Sequence, residues 1–428
     1  MRRFFIISVL FTICVMSEAQ TAKHSLVFYV EKAFQGSPLL SDESNQTEIL
    51  NSEKRYLHNV YTHAQTLLTG NYLFVPIIER TSGTTSFKWN AQSAEDYYGY
   101  DLGVSNGNLQ IGLTWNKPLL GNNIYKVAES QINIQHDVLK NDMRMSRHDI
   151  ERNVTDQYIL CMLDKRQISM SDSISALLSV QAAFIARLAR TGQAKQSDLQ
   201  AILIEQNANK EMKLSHAQSY YNHLMELNTL CCIHDTANIQ LEDEPITKNY
   251  AIGTSQFLVK YDLDSMSTVN GQKMYETKYK PQLNLFTNFG IQTTNYNTIY
   301  KNFGMSAGLT LSVLLSDGKL KKIKQHQTDA ALASIALYKN NLARQNEIRL
   351  NQCSAVIKDY DVRIGMLDNQ LKEYTKLLDI CRREIMAGQI SVFDYITTLK
   401  NIISARQQMM IVEANRQLAI NAFNYYNW

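Results

Sequence analysis

The chain contains an internal duplication with an offset of 196 residues. The run Ile111-Gly112-Leu113-Thr114 aligns with Ala307-Gly308-Leu309-Thr310, and Gly192-Gln193 aligns with Gly388-Gln389. The spacing of 80 residues from the first strand glycine to the turn glycine is the same in both copies. Two separate blocks in one register indicate a repeated structural unit. The sequence therefore predicts two copies of one fold element, which together make up most of the chain.

The distribution of proline predicts very long helices in each copy. The 428 residues include only 5 prolines, and none lies within 119–244 or 282–428. Proline is excluded from helix interiors, so these tracts can form helices of unusual length. The turn glycines at Gly192 and Gly388 favour the left-handed conformation that ends a helix. The expected helices are 122–191, 197–228, 317–387 and 392–426.

An unbroken apolar seam runs along the second long helix. From Cys353 to Ile385 apolar residues recur at alternating spacings of four and three residues, which is the pattern of a coiled coil. In the first copy the matching seam is interrupted by Asp164, Ser171 and Ser175. The pattern predicts helical hairpins that bury their seams against other helices.

Strand-like alternation precedes each long helix. Apolar residues alternate with Ser, Gly and Thr from Met305 to Val313, and with Gln, Gly, Thr and Asn over 109–116. The partner strand is expected over 283–292 in the second copy and within 76–91 in the first. Each copy is therefore predicted to be a strand pair followed by a helical hairpin.

The N-terminus has the features of a secretion signal. Arg2-Arg3 precede an apolar run from Phe4 to Met16, and Ser17-Glu18-Ala19 provides a cleavage site. Cys14 follows a poor lipidation motif, so we expect cleavage after Ala19, with lipidation as the alternative. No later segment offers about 18 uninterrupted apolar residues, so no transmembrane helix is expected. The mature protein is predicted to be exported.

Amphipathic strands fit either a soluble core or an outer-membrane barrel. The predicted export, and a polar face of Ser, Thr, Asn, Gln and Gly suited to a water-filled lumen, favour the barrel. Four strands cannot close a barrel, and open strand edges are not tolerated in lipid. Three chains would supply 12 strands, an even number of the kind that bacterial barrels contain. A closed cyclic homo-oligomer follows from this interpretation.

The duplicated arrangement resembles the TolC-like outer-membrane efflux proteins, also called outer membrane factors. The resemblance is most specific in the strand end at 308–318 and in the helix turn at 387–394. It implies a mainly α fold with a small membrane β part: a homotrimeric 12-stranded β-barrel continued by an α-helical coiled-coil barrel. It also implies an export duct of a tripartite efflux or secretion system, fed from an inner-membrane pump through a periplasmic adaptor. The implied division of the chain is 1–19 signal peptide, 20–70 N-terminal helical segment, 71–118 first β-hairpin, 119–245 first helical hairpin, 246–280 connecting segment, 281–316 second β-hairpin and 317–428 second helical hairpin.

The resemblance places the entrance of the duct at the two helix turns. Asp394 falls on the position of the aspartate that forms a cation-attracting ring. Asp198 falls on the corresponding position of the first copy, where the family places a partner in the hydrogen-bond lock of the tip. The alternative is that both acids stabilise a helix N-terminus. The tyrosine and arginine that close the entrance in the family are Ile385 and Ile390 here, so we expect apolar contacts around them, and around Val392, to replace that lock.

Other functional classes are disfavoured by the sequence. A G-x-S-x-G nucleophile elbow, a Walker A loop and an H-E-x-x-H zinc motif are all absent, so neither an enzyme nor a cofactor is expected. The histidine pairs His216 with His223 and His58 with His63 are expected to be surface polar residues. A net charge of +3 without a basic stripe argues against a nucleic-acid partner. A periplasmic coiled-coil adaptor or a structural coiled-coil protein of the envelope remains the alternative function.

Overall fold

The computed structural model describes residues 23–72, 77–81, 83–88, 109–234, 240–250, 255–293, 296–301, 303–387 and 389–428. The expected signal peptide and Gly388 lie outside the described residues. The described residues divide into two compact units, one within 1–43, 142–259 and 340–428, and the other within 44–141 and 260–339.

Helices account for most of the described chain. They are α1 (Leu26–Gly36), α2 (Pro38–Ser41), α3 (Glu43–Thr62), α4 (Gly121–Arg190), α5 (Gln196–Leu230), α6 (Val259–Glu276), α7 (Leu320–Met386) and α8 (Val392–Tyr426). The strands are β1 (Lys23–His24), β2 (Gln65–Tyr72), β3 (Ile77–Thr81), β4 (Thr84–Lys88), β5 (Leu109–Pro118), β6 (Gln240–Leu241), β7 (Gln282–Thr293) and β8 (Phe303–Ser312).

The four predicted long helices are confirmed. The two longest, α4 and α7, contain 70 and 67 residues, so each is roughly 100 Å long at 1.5 Å per residue. The returning helices α5 and α8 both contain 35 residues, and their bounds differ by the repeat offset of 196 at each end. The duplication seen in the sequence is thus a duplication of helical hairpins.

The coiled-coil seam of α7 is also confirmed. All of its positions are buried or half-buried, while most of their neighbours along the helix are exposed. The seam members are Cys353, Ile357, Tyr360, Ile364, Leu367, Leu371, Tyr374, Leu378, Cys381 and Ile385. Because α7 hides this seam within a single chain, the hairpin has its own apolar core.

Polar residues that interrupt the first seam have partners on α5. Asn209 donates from Nδ2 to the Ser171 carbonyl and to Ser175 Oγ, both at 2.8 Å. The buried Asp164 carboxylate lies 2.6 Å from His223 Nδ1. His223, predicted to be a surface polar residue, keeps 37% of its side chain exposed. It also supplies the partner that a buried carboxylate requires.

The described residues of the second compact unit include a four-stranded antiparallel sheet with the order β2-β5-β7-β8. The predicted second-copy strands correspond to β7 and β8. The predicted location of the first partner strand within 76–91 is wrong, because that strand is β2, at Gln65–Tyr72. An additional hairpin, β3–β4, is inserted between the two sheet strands of the first copy. The segment 20–70, expected to be helical, is accordingly helical only as far as Thr62.

Candidate functional site: an amphipathic sheet and two helix turns

Strand register sorts the side chains of the sheet onto two faces. Directly paired residues of antiparallel strands share a face, and Leu285 pairs with Leu309 while Phe289 pairs with Met305 and Leu113. The apolar members of this face are Leu68, Leu109, Ile111, Leu113, Trp115, Leu283, Leu285, Phe289, Ile291, Phe303, Met305, Ala307, Leu309 and Leu311. Only Thr66, Thr287, Thr293 and Lys117 add side-chain polarity to it among the described side chains. The sheet thus presents one strongly apolar face.

The opposite face is polar and built from small side chains. Asn288 pairs with both Thr114 and Ser306, and Asn284 pairs with Thr310. A row of three glycines, Gly112, Gly290 and Gly304, crosses this face. The apolar face is therefore suited to an apolar environment, and the polar face is suited to water.

Neither the apolar face nor the sheet edges are covered within the described chain. Phe303, Met305, Leu309 and Leu311 of β8 are each 63–70% exposed. Among the described residues, β2 and β8 each pair on one side only. Unpaired edges and a large exposed apolar face are unfavourable in water. The described part of the sheet is therefore poorly suited to water as a single chain.

A hydrogen-bonded junction joins the sheet to α7. The Asp317 carboxylate accepts hydrogen bonds from the Tyr279 hydroxyl at 2.5 Å and from the backbone amides of Lys319 and Lys321 at 2.9 and 2.7 Å. The tyrosine bond, followed by these amide bonds, lowers the pKa of Asp317. The carboxylate thereby satisfies amides that the first turn of a helix leaves free. Sequence patterns did not identify this residue.

The turn between α4 and α5 has the geometry expected of a glycine-terminated helix. Gly192 adopts a φ of +77°, and the amide of Gln193 bonds back to the Leu188 carbonyl at 2.9 Å. The Asp198 carboxylate accepts a hydrogen bond from the Lys195 amide at 3.0 Å. Asp198 therefore lies where the helix-stabilising interpretation puts it, in the first turn of α5.

Asp394 occupies the equivalent position in α8. It accepts a hydrogen bond from the Ser391 hydroxyl at 2.7 Å, and its own amide donates to the same oxygen at 3.2 Å. Its side chain is exposed. A first-turn acid of this kind stabilises the helix N-terminus and still presents its charge to solvent.

The two isoleucines of the second turn pack inside the chain. Ile385 is 6% exposed and belongs to a cluster with Leu188, Cys381 and Tyr395, against which Ile390 also packs. Val392 belongs to a neighbouring apolar cluster of the two hairpins. At the surface of the same turn, Met386 and Phe393 are 65% and 66% exposed. The structure thus brings the predicted turn residues together, although it assigns the isoleucines to packing within one chain.

In the described part of the chain, no three His, Cys, Asp or Glu side chains are grouped to hold a metal ion. One 18-residue window of α4 has the length and composition of a membrane helix. Composition alone therefore does not support the expectation that no transmembrane helix follows the signal peptide. An apolar helix that packs in a helical bundle has the same length and composition.

Comparison with known proteins gives a match in structure without one in sequence. The sequence matches no protein-family model and no curated relative. The fold is similar to that of the outer membrane protein VceC of Vibrio cholerae, with a TM-score of 0.68, 11% identity and coverage of 94% of this chain and 95% of the other. CusC gives a TM-score of 0.73 at 10% identity, covering 96% and 95% of the two chains. The Campylobacter jejuni CmeC outer membrane channel gives 0.62 at 12% identity, covering 94% and 85%.

These similarities extend over nearly the whole of each chain. The protein accordingly has the fold of the outer membrane factor channels, and the predicted TolC-like resemblance is confirmed at the level of fold.

Proposed function

We propose that this protein is an outer-membrane channel that serves as the export duct of a tripartite efflux or secretion system. The observation that carries the proposal is the four-stranded sheet, which within the described residues has one exposed apolar face, one polar face and two unpaired edges. Lipid would cover the apolar face and water would fill the space beside the polar face. Pairing of β2 in one copy with β8 in the next would satisfy both edges.

A homotrimer is the assembly that we propose. Three sheets would give 12 strands in a single closed barrel. The helices provide a second reason for self-association, because α7 carries an additional apolar stripe outside its seam. Its members are Ile348, Val362, Met366, Leu377 and Ile380, each 41–67% exposed and separated by nearly whole numbers of helical turns. Helices of neighbouring copies would bury this stripe in a coiled-coil barrel that crosses the periplasm. The apolar window of α4 would be buried in the same bundle of helices.

The helix turns would form the periplasmic entrance in this assembly. Three copies of Asp394 would place a ring of carboxylates there, and such rings attract cations in other pores. The exposed turn would receive a periplasmic adaptor and, through it, an inner-membrane pump. Substituting Asp394→Asn keeps the oxygen that accepts the Ser391 bond and removes the charge. Weaker block of single-channel conductance by trivalent cations would support the ring, and unchanged block would contradict it.

Cell fractionation tests the channel function itself. We expect the processed protein in the outer membrane, resistant to salt and carbonate, and running as an SDS-resistant trimer that heating dissociates. Purified trimers should form conducting pores in planar bilayers. A monomer recovered in the soluble periplasmic extract would contradict the proposal and favour an envelope coiled-coil protein instead.

A further inference from the structure

Phe286 of β7 is an aromatic side chain on the polar face of the sheet. Strand register pairs it with Asn116 on one side and Gly308 on the other, and its neighbours along this face of β7 are Asn284 and Asn288. The side chain is half-buried. The alternation that places Leu285 on the apolar face requires Phe286 to point the other way.

Gly308 provides the space in which the Phe286 ring lies. A Cβ atom at residue 308 would lie 2.7 and 2.9 Å from two ring carbons of Phe286, closer than such atoms approach. The ring therefore lies across β8, over a backbone position that has no side chain. Packing of an aromatic ring over a strand glycine is a recognised means of stabilising sheets.

Leu67 of β2 is a second apolar side chain on the same face. It pairs with Thr114, and its side chain is 60% exposed. Thr114 pairs in turn with Asn288, so Leu67 lies one side-chain row from the row that contains Phe286. The two rows lie side by side near the middle of β5, β7 and β8. The polar face thus carries an apolar band across its middle.

We infer that Phe286 and Leu67 form a band on the lumen wall that binds the apolar groups of passing solutes, and that the duct therefore retains amphipathic organic molecules more than hydrophilic ones. The inference rests on the proposed channel function, in which the polar face lines the lumen. Three copies would place six apolar side chains around an otherwise hydrated wall. An aromatic face also attracts organic cations, so a cation bearing aromatic groups is the best probe.

The test measures block of single-channel conductance in planar bilayers by tetraphenylphosphonium, with tetramethylammonium as the hydrophilic cation. We expect Phe286→Ala to raise the half-blocking concentration of tetraphenylphosphonium about fivefold or more, because an aromatic contact with a cation contributes an affinity factor of that order. Block by tetramethylammonium should not change. Phe289→Ala is the matched control, because it removes the same side chain from the same strand on the apolar face, and its block should equal that of the wild type.

The outcomes separate the inference from the function on which it rests. Conducting wild-type channels that tetraphenylphosphonium fails to block, or that Phe286→Ala leaves equally blocked, would overturn the inference alone. Absence of any wild-type conductance would overturn the proposed function. If the alanine variant does not assemble, Phe286→Leu keeps an apolar side chain over Gly308 and removes the ring. A half-blocking concentration above the wild-type value then supports the inference, and an unchanged value overturns it.

Discussion

A charge placed on adjacent residues of β8 should have opposite consequences on the two faces of the sheet. Leu309 is 63% exposed on the apolar face, whereas Thr310 points to the polar face beside Asn284. In a membrane barrel, an arginine on the lipid side costs about 2–4 kcal/mol near the bilayer midplane, and one in the lumen costs much less. Three symmetric copies of Leu309→Arg would therefore destabilise a trimer by roughly 6–12 kcal/mol, whereas Thr310→Arg would leave it assembled.

The assay compares the amount of SDS-resistant, heat-dissociable trimer in the outer-membrane fraction for the two variants. Denaturant titration of protein refolded into lipid vesicles then measures the loss of stability directly. We expect Leu309→Arg to remove most of the trimer and Thr310→Arg to retain it. Equal trimer yields and equal unfolding midpoints would refute the assignment of the two faces, and a stronger effect from Thr310→Arg would reverse it.

Three further predictions follow from other contacts. Gly290→Ala should reduce trimer yield and lower the unfolding midpoint, because a Cβ atom there would lie 2.4 and 2.6 Å from backbone atoms of β5. Gly304→Ala, in the same glycine row, is the control: a Cβ atom there meets nothing within 4 Å, so this variant should be tolerated. Asn209→Ala should lower stability by about 1–3 kcal/mol, because it removes two hydrogen bonds, one to the buried Ser171 carbonyl and one to the half-buried Ser175 hydroxyl. Thermal unfolding followed by circular dichroism should show no such loss for the exposed Asn207→Ala. The pKa of Asp317 is lowered in the folded protein, so its contribution to stability is complete above its ordinary pKa and is lost as pH falls through the folded value. Between pH 6 and acidic pH, the unfolding midpoint should therefore fall less for Asp317→Asn than for the wild type. Equal falls in the two proteins would contradict this role.

Local patterns were sufficient to predict the helices. The absence of proline over 282–428 and the unbroken seam of α7 both reflect requirements that a helix imposes every few residues. For this reason the predicted α8 has the observed bounds, Val392–Tyr426. The same reasoning located β8, whose alternation is regular from one end to the other.

Features that depend on distant residues were harder to predict. The partner strand β2 contains adjacent leucines that disturb its alternation, and the inserted β3–β4 hairpin removes it from the position that the repeat offset indicates. Asp164 interrupted a seam in the sequence, and only the fold shows that His223, 59 residues away, pairs with it. Phe286 was likewise unremarkable until strand register set it against Gly308.

The sequence predicted where the candidate turn residues lie, whereas local chemistry does not determine what they do. Asp198 and Asp394 both lie in the first turn of a helix and bond to neighbouring backbone or hydroxyl groups. Those bonds are sufficient reason for an acid at each position. A role in the entrance of a pore depends on copies of the chain that a single sequence does not contain.

The most direct test of the account is native mass spectrometry of the protein extracted from outer membranes in mild detergent. Closure of the sheet through its β2 and β8 edges predicts a complex with three times the mass of the processed chain. A single-chain mass under conditions that preserve known membrane trimers would contradict the shared barrel and the channel built on it.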